Sequence, residues 1–174
     1  MRITLLLLAA CGGAPSAVDR PELIGVAGGT MDGNGLYQSC DAPLELRFPA
    51  GSKLTLGGEK GKSALAGGAD KLVALVMYWQ TDKPQTPASL DALMIDALDA
   101  ATLTHVDVGD REVDGAALAR GTHATTASVR GAMTVASRPP WVISLLVVAQ
   151  SDSPRIGEVD ATMSSLRLAA GHCD

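Results

Sequence analysis

Aromatic residues are nearly missing from this 174-residue chain, which has one Phe, two Tyr and two Trp. Modules that hold sugars or single-stranded nucleic acids on exposed ring faces are therefore not expected, and the core must be built from Leu, Val, Ala, Ile and Met. Positive charge is also scarce. Lys and Arg number 14 against 19 Asp and Glu, and the net charge is -5. With no basic cluster to offset it, such a surface repels phosphate backbones, so nucleic acid is not expected as a partner. The apolar run near the start stops after about ten residues, where a membrane-spanning helix needs roughly 20. What is present is a globular composition, 47% hydrophobic and 19% charged. The length suits one domain with a conventional core.

The chain opens MRITLLLLAACGG. Arg2 is a minimal positive region, residues 3–8 form the hydrophobic region of an export signal, and Ala9 and Ala10 are the small residues that precede a signal-peptidase cut. Leu8-Ala9-Ala10-Cys11 resembles the bacterial lipobox. That resemblance implies a diacylglyceryl group on the Cys11 thiol, cleavage before Cys11 and acylation of the new amino terminus, with palmitate among the acyl chains. Two or more acyl chains on one residue anchor a protein stably at a membrane. Gly12 follows the cysteine where Asp would favour the inner membrane, which points to the outer membrane of the cell envelope, on its periplasmic or surface side. A plain secretory signal cut after Ala10 or Ala14, and a start codon upstream of Met1, stay open.

With Cys11 taken by lipid, Cys40 and Cys173 remain. In an oxidising compartment a leftover pair is usually bridged, so a Cys40–Cys173 disulfide is expected. Closing so long a loop contributes about 5 kcal/mol in the chain-entropy account. A reactive thiol helped by His172, or a metal pair of His172 and Cys173, has no supporting ligands at a known spacing.

The chain divides into a signal peptide (1–10), a lipidated cysteine with a tether (11–22) and one domain (23–174). The tether is small, polar and rich in Pro and Gly; ten such residues reach at most about 35 Å and average about 18 Å. In the domain, residues 23–27 suit a short strand, 28–40 a loop, and 44–48 and 51–56 two strands. Residues 57–69 read as a glycine-rich connection. Residues 72–79 are apolar on both faces, the mark of a central strand. Thr86 and Pro87 then open a helix whose Leu90, Leu93, Met94, Ala97, Leu98 and Ala101 form one apolar stripe. Strands follow at 105–109, 115–123, 129–137 and 141–149, with Pro139-Pro140 marking a reversal. Ser153 and Pro154 open a closing helix carrying Ile156, Val159, Met163 and Leu166. Segregated strands with two such helices predict an α+β fold, an antiparallel sheet flanked by helices.

The order also resembles the PsbP-like family, through LELRFPAGSKLTL, DKPQTPASLDAL, VDGAALARG and EVDATMSSLRL, across residues 42–168. The resemblance implies an α/β/α sandwich of extrinsic photosystem II subunits, Ran-binding relatives and small bacterial lipoproteins, with binding or assembly roles and no shared catalytic site.

Signatures of chemistry are sparse. His105 and His123 fall in neighbouring expected strands and, with Asp107 or Asp110, are the weak candidates for a metal site, without any H-x-H or H-x-x-x-H spacing. Asp32-Gly33-Asn34-Gly35 hints at a calcium loop but lacks its alternating ligands, so a tight turn is the better reading. Gly61-Lys62-Ser63 has Leu56 where a phosphate loop requires glycine. Asp96 and Asp99 sit on the polar helix face, where solvation explains them. No cofactor is expected. The leading expectation is a lipid-anchored envelope lipoprotein, a non-enzymatic binding or assembly module for an unknown protein or small molecule. The alternative is a secreted hydrolase or metal-dependent enzyme using His105 and His123.

Overall fold

The computed structural model describes residues 28–59 and 62–169. Among these residues, ten strands and two helices make up the regular structure. Strands β1 (Gly29–Met31), β2 (Leu36–Ser39) and β3 (Glu45–Arg47) form a small antiparallel sheet. Strands β4 (Lys53–Glu59), β5 (Lys62–Ala69) and β6 (Leu72–Gln80) begin a second sheet. Helix α1 (Pro87–Ala100) then crosses over to β7 (Thr104–Asp110) at the far edge. Strands β8 (Leu118–Thr125), β9 (Val129–Arg138) and β10 (Trp141–Gln150) return toward the middle. The order is β4-β5-β6-β10-β9-β8-β7, all pairs antiparallel. A 3-10 turn (Ile156–Glu158) leads into the six-residue helix α2 (Val159–Ser164).

Local chemistry accounts for the sharpest features. The Thr86 side chain accepts from the Ser89 amide while the Ser89 hydroxyl accepts from the Thr86 amide, a reciprocal cap with Pro87 in the first turn. Between β5 and β6, Asp70 and Lys71 adopt φ of 49° and 66°, the left-handed pair that a tight antiparallel turn needs. Neither is glycine, and long-range contacts hold them. Arg155 Nε binds Asp70 Oδ2 at 2.7 Å, Lys71 pairs with Asp152, and the Ser153 hydroxyl donates to the Asp70 carbonyl at 2.7 Å. Gly35, at φ 82°, closes the β1–β2 turn where a Cβ would lie 2.5 Å from the Phe48 carbonyl oxygen.

The large sheet separates two apolar clusters. On one face Leu72, Ala74, Val76 and Tyr78 of β6 join Ile143, Leu145 and Val147 of β10 beneath Tyr37, Leu44, Leu46 and Phe48 of the small sheet and its flanks, with Val159, Met163, Leu166 and Leu168. On the other, Leu75, Met133, Val135, Val142 and Leu146 receive Leu90, Met94 and Leu98 of α1. Alternation along β6 and β10 puts each residue on the face its parity requires.

This architecture corrects the expectation of an α+β, PsbP-like α/β/α sandwich with its sheet flanked by helices. The fold is β-rich. A second sheet occupies the face where a helical layer was expected, because residues 28–39 form the β1–β2 hairpin rather than a loop. The expected closing helix is short. The Ser165 hydroxyl donates to the Thr162 carbonyl, and the Arg47 amide donates to that hydroxyl. The chain then runs extended, with Arg167 exchanging backbone hydrogen bonds with Glu45 at 2.9 Å and Leu168 donating to the Asp114 carbonyl at 2.8 Å. The expected glycine-rich connection is instead most of the β4–β5 hairpin. The strand expected at 23–27 lies outside the described residues.

Candidate functional site: a half-covered sheet face

Helix α1 packs on β7, β8 and β9. Arg120 of β8 clamps it there. Its Nε and Nη2 bind the two carboxylate oxygens of Asp91 on α1 at 2.7 and 3.0 Å, and Nη1 reaches Asp110 of β7 at 2.5 Å. The fork matches a carboxylate in two places at once. Hydrogen bonding to Asp91 first, then Asp110, pushes the guanidinium's already high pKa further up.

Because the helix is held to one side, the same face of β4, β5 and β6 is left partly open. Register puts Ala64 beside Met77, Ala66 beside Leu75 and Gly68 beside Val73 on this floor. Ala66, Val73, Met77 and Trp79 are only half-buried. The Lys62 ammonium stands 5.0 Å above the centroid of the Trp79 ring, a cation–π contact at the rim. Small side chains on β5 make the floor shallow and apolar.

A cleft of about 300 Å³ opens at one end of this floor, lined by Thr81, Asp82, Lys83, Pro84, Gln85, Ser137, Pro139 and Pro140. Two turns form it, the β6–α1 connection and the β9–β10 reversal, joined where the Thr81 amide donates to the Pro140 carbonyl at 2.8 Å. The Pro139–Pro140 bond is cis. Ser137 and Trp79 both pair with Val142, so cleft and floor share one row across the sheet. Gln85 is positioned from both ends: its Nε2 donates to the Lys83 carbonyl at 2.8 Å and its Oε1 accepts from Ser89 Oγ at 3.1 Å. The cleft offers hydrogen-bonding groups and both signs of charge beside the rings of Pro84, Pro139 and Pro140. Its size suits a small ligand or one or two side chains of a partner.

The sequence-derived candidates lie elsewhere. His105 pairs with Ala124, and Val106 with His123. Cross-strand partners share a face and successive residues alternate, so His105 is on the α1 side of the sheet and His123 on the opposite side. The structure does not bring the two imidazoles together. Asp110 is engaged by Arg120, and Asp107 sits in a bulge at φ 58°. Among the described residues no group of three His, Cys, Asp or Glu side chains is placed to hold a metal.

Cys40, at the end of β2, is disulfide-bonded, and its amide donates to the Gly28 carbonyl at 2.8 Å. Cys11, His172 and Cys173 lie outside the described residues. Asp32 Oδ1 accepts from the amides of Asn34 and Leu36 at 2.8 and 2.9 Å, making residues 32–35 a turn. The Leu36 amide is the main cause that holds this carboxyl below its usual range. Lys62 and Ser63 belong to an antiparallel hairpin, not to the strand-to-helix turn of a phosphate loop. Asp96 and Asp99 are exposed on α1.

Sequence reasoning missed the cleft. Its two turns are more than fifty residues apart, and only the pairing of β6 with β10 sets them side by side. Among the described residues no helix is long and apolar enough to cross a membrane. No protein-family model matches the chain, and no curated protein matches it significantly.

Proposed function

We propose that the chain is a lipid-anchored protein of the bacterial cell envelope, whose domain is a non-enzymatic module that binds a protein or small molecule. The observation that carries the binding half is the half-covered sheet face: an apolar floor of Ala66, Val73, Met77 and Trp79 running into the cleft at Thr81–Gln85. A face that a packed helix leaves open, with polar groups gathered at one end, has the anatomy of a binding surface. The anchor rests on Leu8-Ala9-Ala10-Cys11. Acyl chains on Cys11 would hold the domain within one tether length of a membrane, with Gly12 favouring the outer one. A bridge from Cys40 to Cys173 belongs to the same reading, since it requires an oxidising compartment.

Two measurements test the halves separately. Labelled palmitate should enter the wild-type chain and not Cys11→Ala, and the variant should leave the membrane fraction. Label that persists in Cys11→Ala removes the anchor. A photo-crosslinker at Met77 should give a discrete adduct in cells, while one at Asp96 on the exposed side of α1 should not. Equal labelling at the two positions removes the binding face.

A further inference from the structure

The two edges of the large sheet differ in how they meet solvent. At β7 the register breaks between Val106 and Gly109, Asp107 takes a left-handed conformation, and Asp107 and Asp110 add negative charge. Bulges and charges of this kind keep a further strand from adding. At the opposite edge, β4 keeps an unbroken register with β5 from Lys53 opposite Gly68 to Glu59 opposite Lys62. It contains no proline and no bulge, and among the described residues no strand pairs with its outer side.

The sequence of this strand, KLTLGGE, is complementary to itself when reversed. A two-fold axis through Leu56 would set Lys53 of one copy opposite Glu59 of the other, twice. Thr55 would face Gly57, Leu54 would face Gly58, and Leu56 would meet Leu56. A parallel pairing would instead set Lys53 against Lys53. Lys53 is exposed and forms no ion pair with another described residue, and Leu56 is only half-buried. The glycines opposite Leu54 and Thr55 leave room for a close approach.

We propose that β4 is a homodimerisation edge, where a second copy of this chain adds its own β4 antiparallel and joins the two seven-stranded sheets. Such a contact uses the same patch on both copies and closes on itself, so it stops at two. Backbone hydrogen bonds supply the adhesion, and the terminal charges choose register and direction. The inference is independent of the lipid anchor.

Sedimentation equilibrium on the full chain carrying Cys11→Ser, which keeps acyl groups from driving association, tests it. A reversible dimer is expected. Lys53→Glu alone and Glu59→Lys alone should each weaken the dimer about tenfold, because two attractive pairs become repulsive. The double variant K53E/E59K should restore it. Circular dichroism on each variant checks that these changes leave the fold intact, and slowed hydrogen exchange at the β4 amides with rising concentration locates the contact. A chain that stays monomeric, a dimer indifferent to both single changes, or a double variant no better than the singles overturns the proposal.

Discussion

The two faces of the large sheet are built to different standards of closure. One is roofed by the small sheet, by α2 and by the extended residues after it, with Tyr37, Phe48, Leu65 and Leu145 essentially out of water. Its roof is stitched by backbone pairing between Glu45 and Arg167 and by the Arg138 guanidinium on the Leu168 carbonyl. The other is roofed by one helix, clipped by Arg120 to one side. On the first face side chains interdigitate and volume is constrained; on the second, the half beyond α1 has slack. Closure by several elements fixes a core, whereas closure by one leaves surface available for something else.

That contrast can be broken most strongly at its closed end. Leu145→Ala, in the middle of β10 under the roof, should cost about 2–5 kcal/mol in urea unfolding, the range for a cavity that cannot collapse. Gly67→Ala comes next. A Cβ there would lie 2.5 Å from a ring carbon of Phe48, so a loss of about 1–3 kcal/mol is expected from overpacking. Thr86→Ala removes the reciprocal cap of α1 and should cost about 1 kcal/mol, with faster hydrogen exchange confined to the first turn of the helix. Ala66→Val, one residue from Gly67 but on the open floor, should change stability by less than about 0.5 kcal/mol. A large loss there would show that the floor is as tightly packed as the roofed side.

The smallest effect concerns pH. Asp32 has its folded pKa held below the usual 3.8, so its contribution is complete above that value and is lost as pH falls through the lower folded value. The Asn34 and Leu36 amide shifts should titrate together with a midpoint below 3.8. A midpoint at or above it would mean that the turn does not hold the carboxylate.

Much of the architecture was legible where short-range chemistry governs. Thr86, Pro87 and the spacing of Leu90, Met94 and Leu98 specify α1 within a few turns of chain. The paired prolines mark the β9–β10 reversal, and the unbroken apolar run of β6 marks a strand between two neighbours. Glycine misled in two places. Residues 28–40 and 57–69 carry enough of it to read as loop, yet β1 pairs with β2 there and β4 with β5. Gly67 is small because the Phe48 ring lies over it, and nothing near Gly67 in the chain announces that ring. The closing helix is shorter than expected for a related reason: Leu166 fits the apolar stripe, but backbone partners at Glu45 and Asp114 draw Arg167 and Leu168 into an extended path. The histidines were placed in the right strands, and the one-residue offset between them is what sends them to opposite faces.

Periodicity, caps and turn chemistry act over a handful of residues, and for this chain they were enough to specify α1 and its central strands. Which layer covers which face and where the cleft opens depend on partners a hundred residues away, such as Arg47 with Ser165. Those choices are made by competition for burial and for backbone hydrogen bonds across the whole domain, and no local window carries that information.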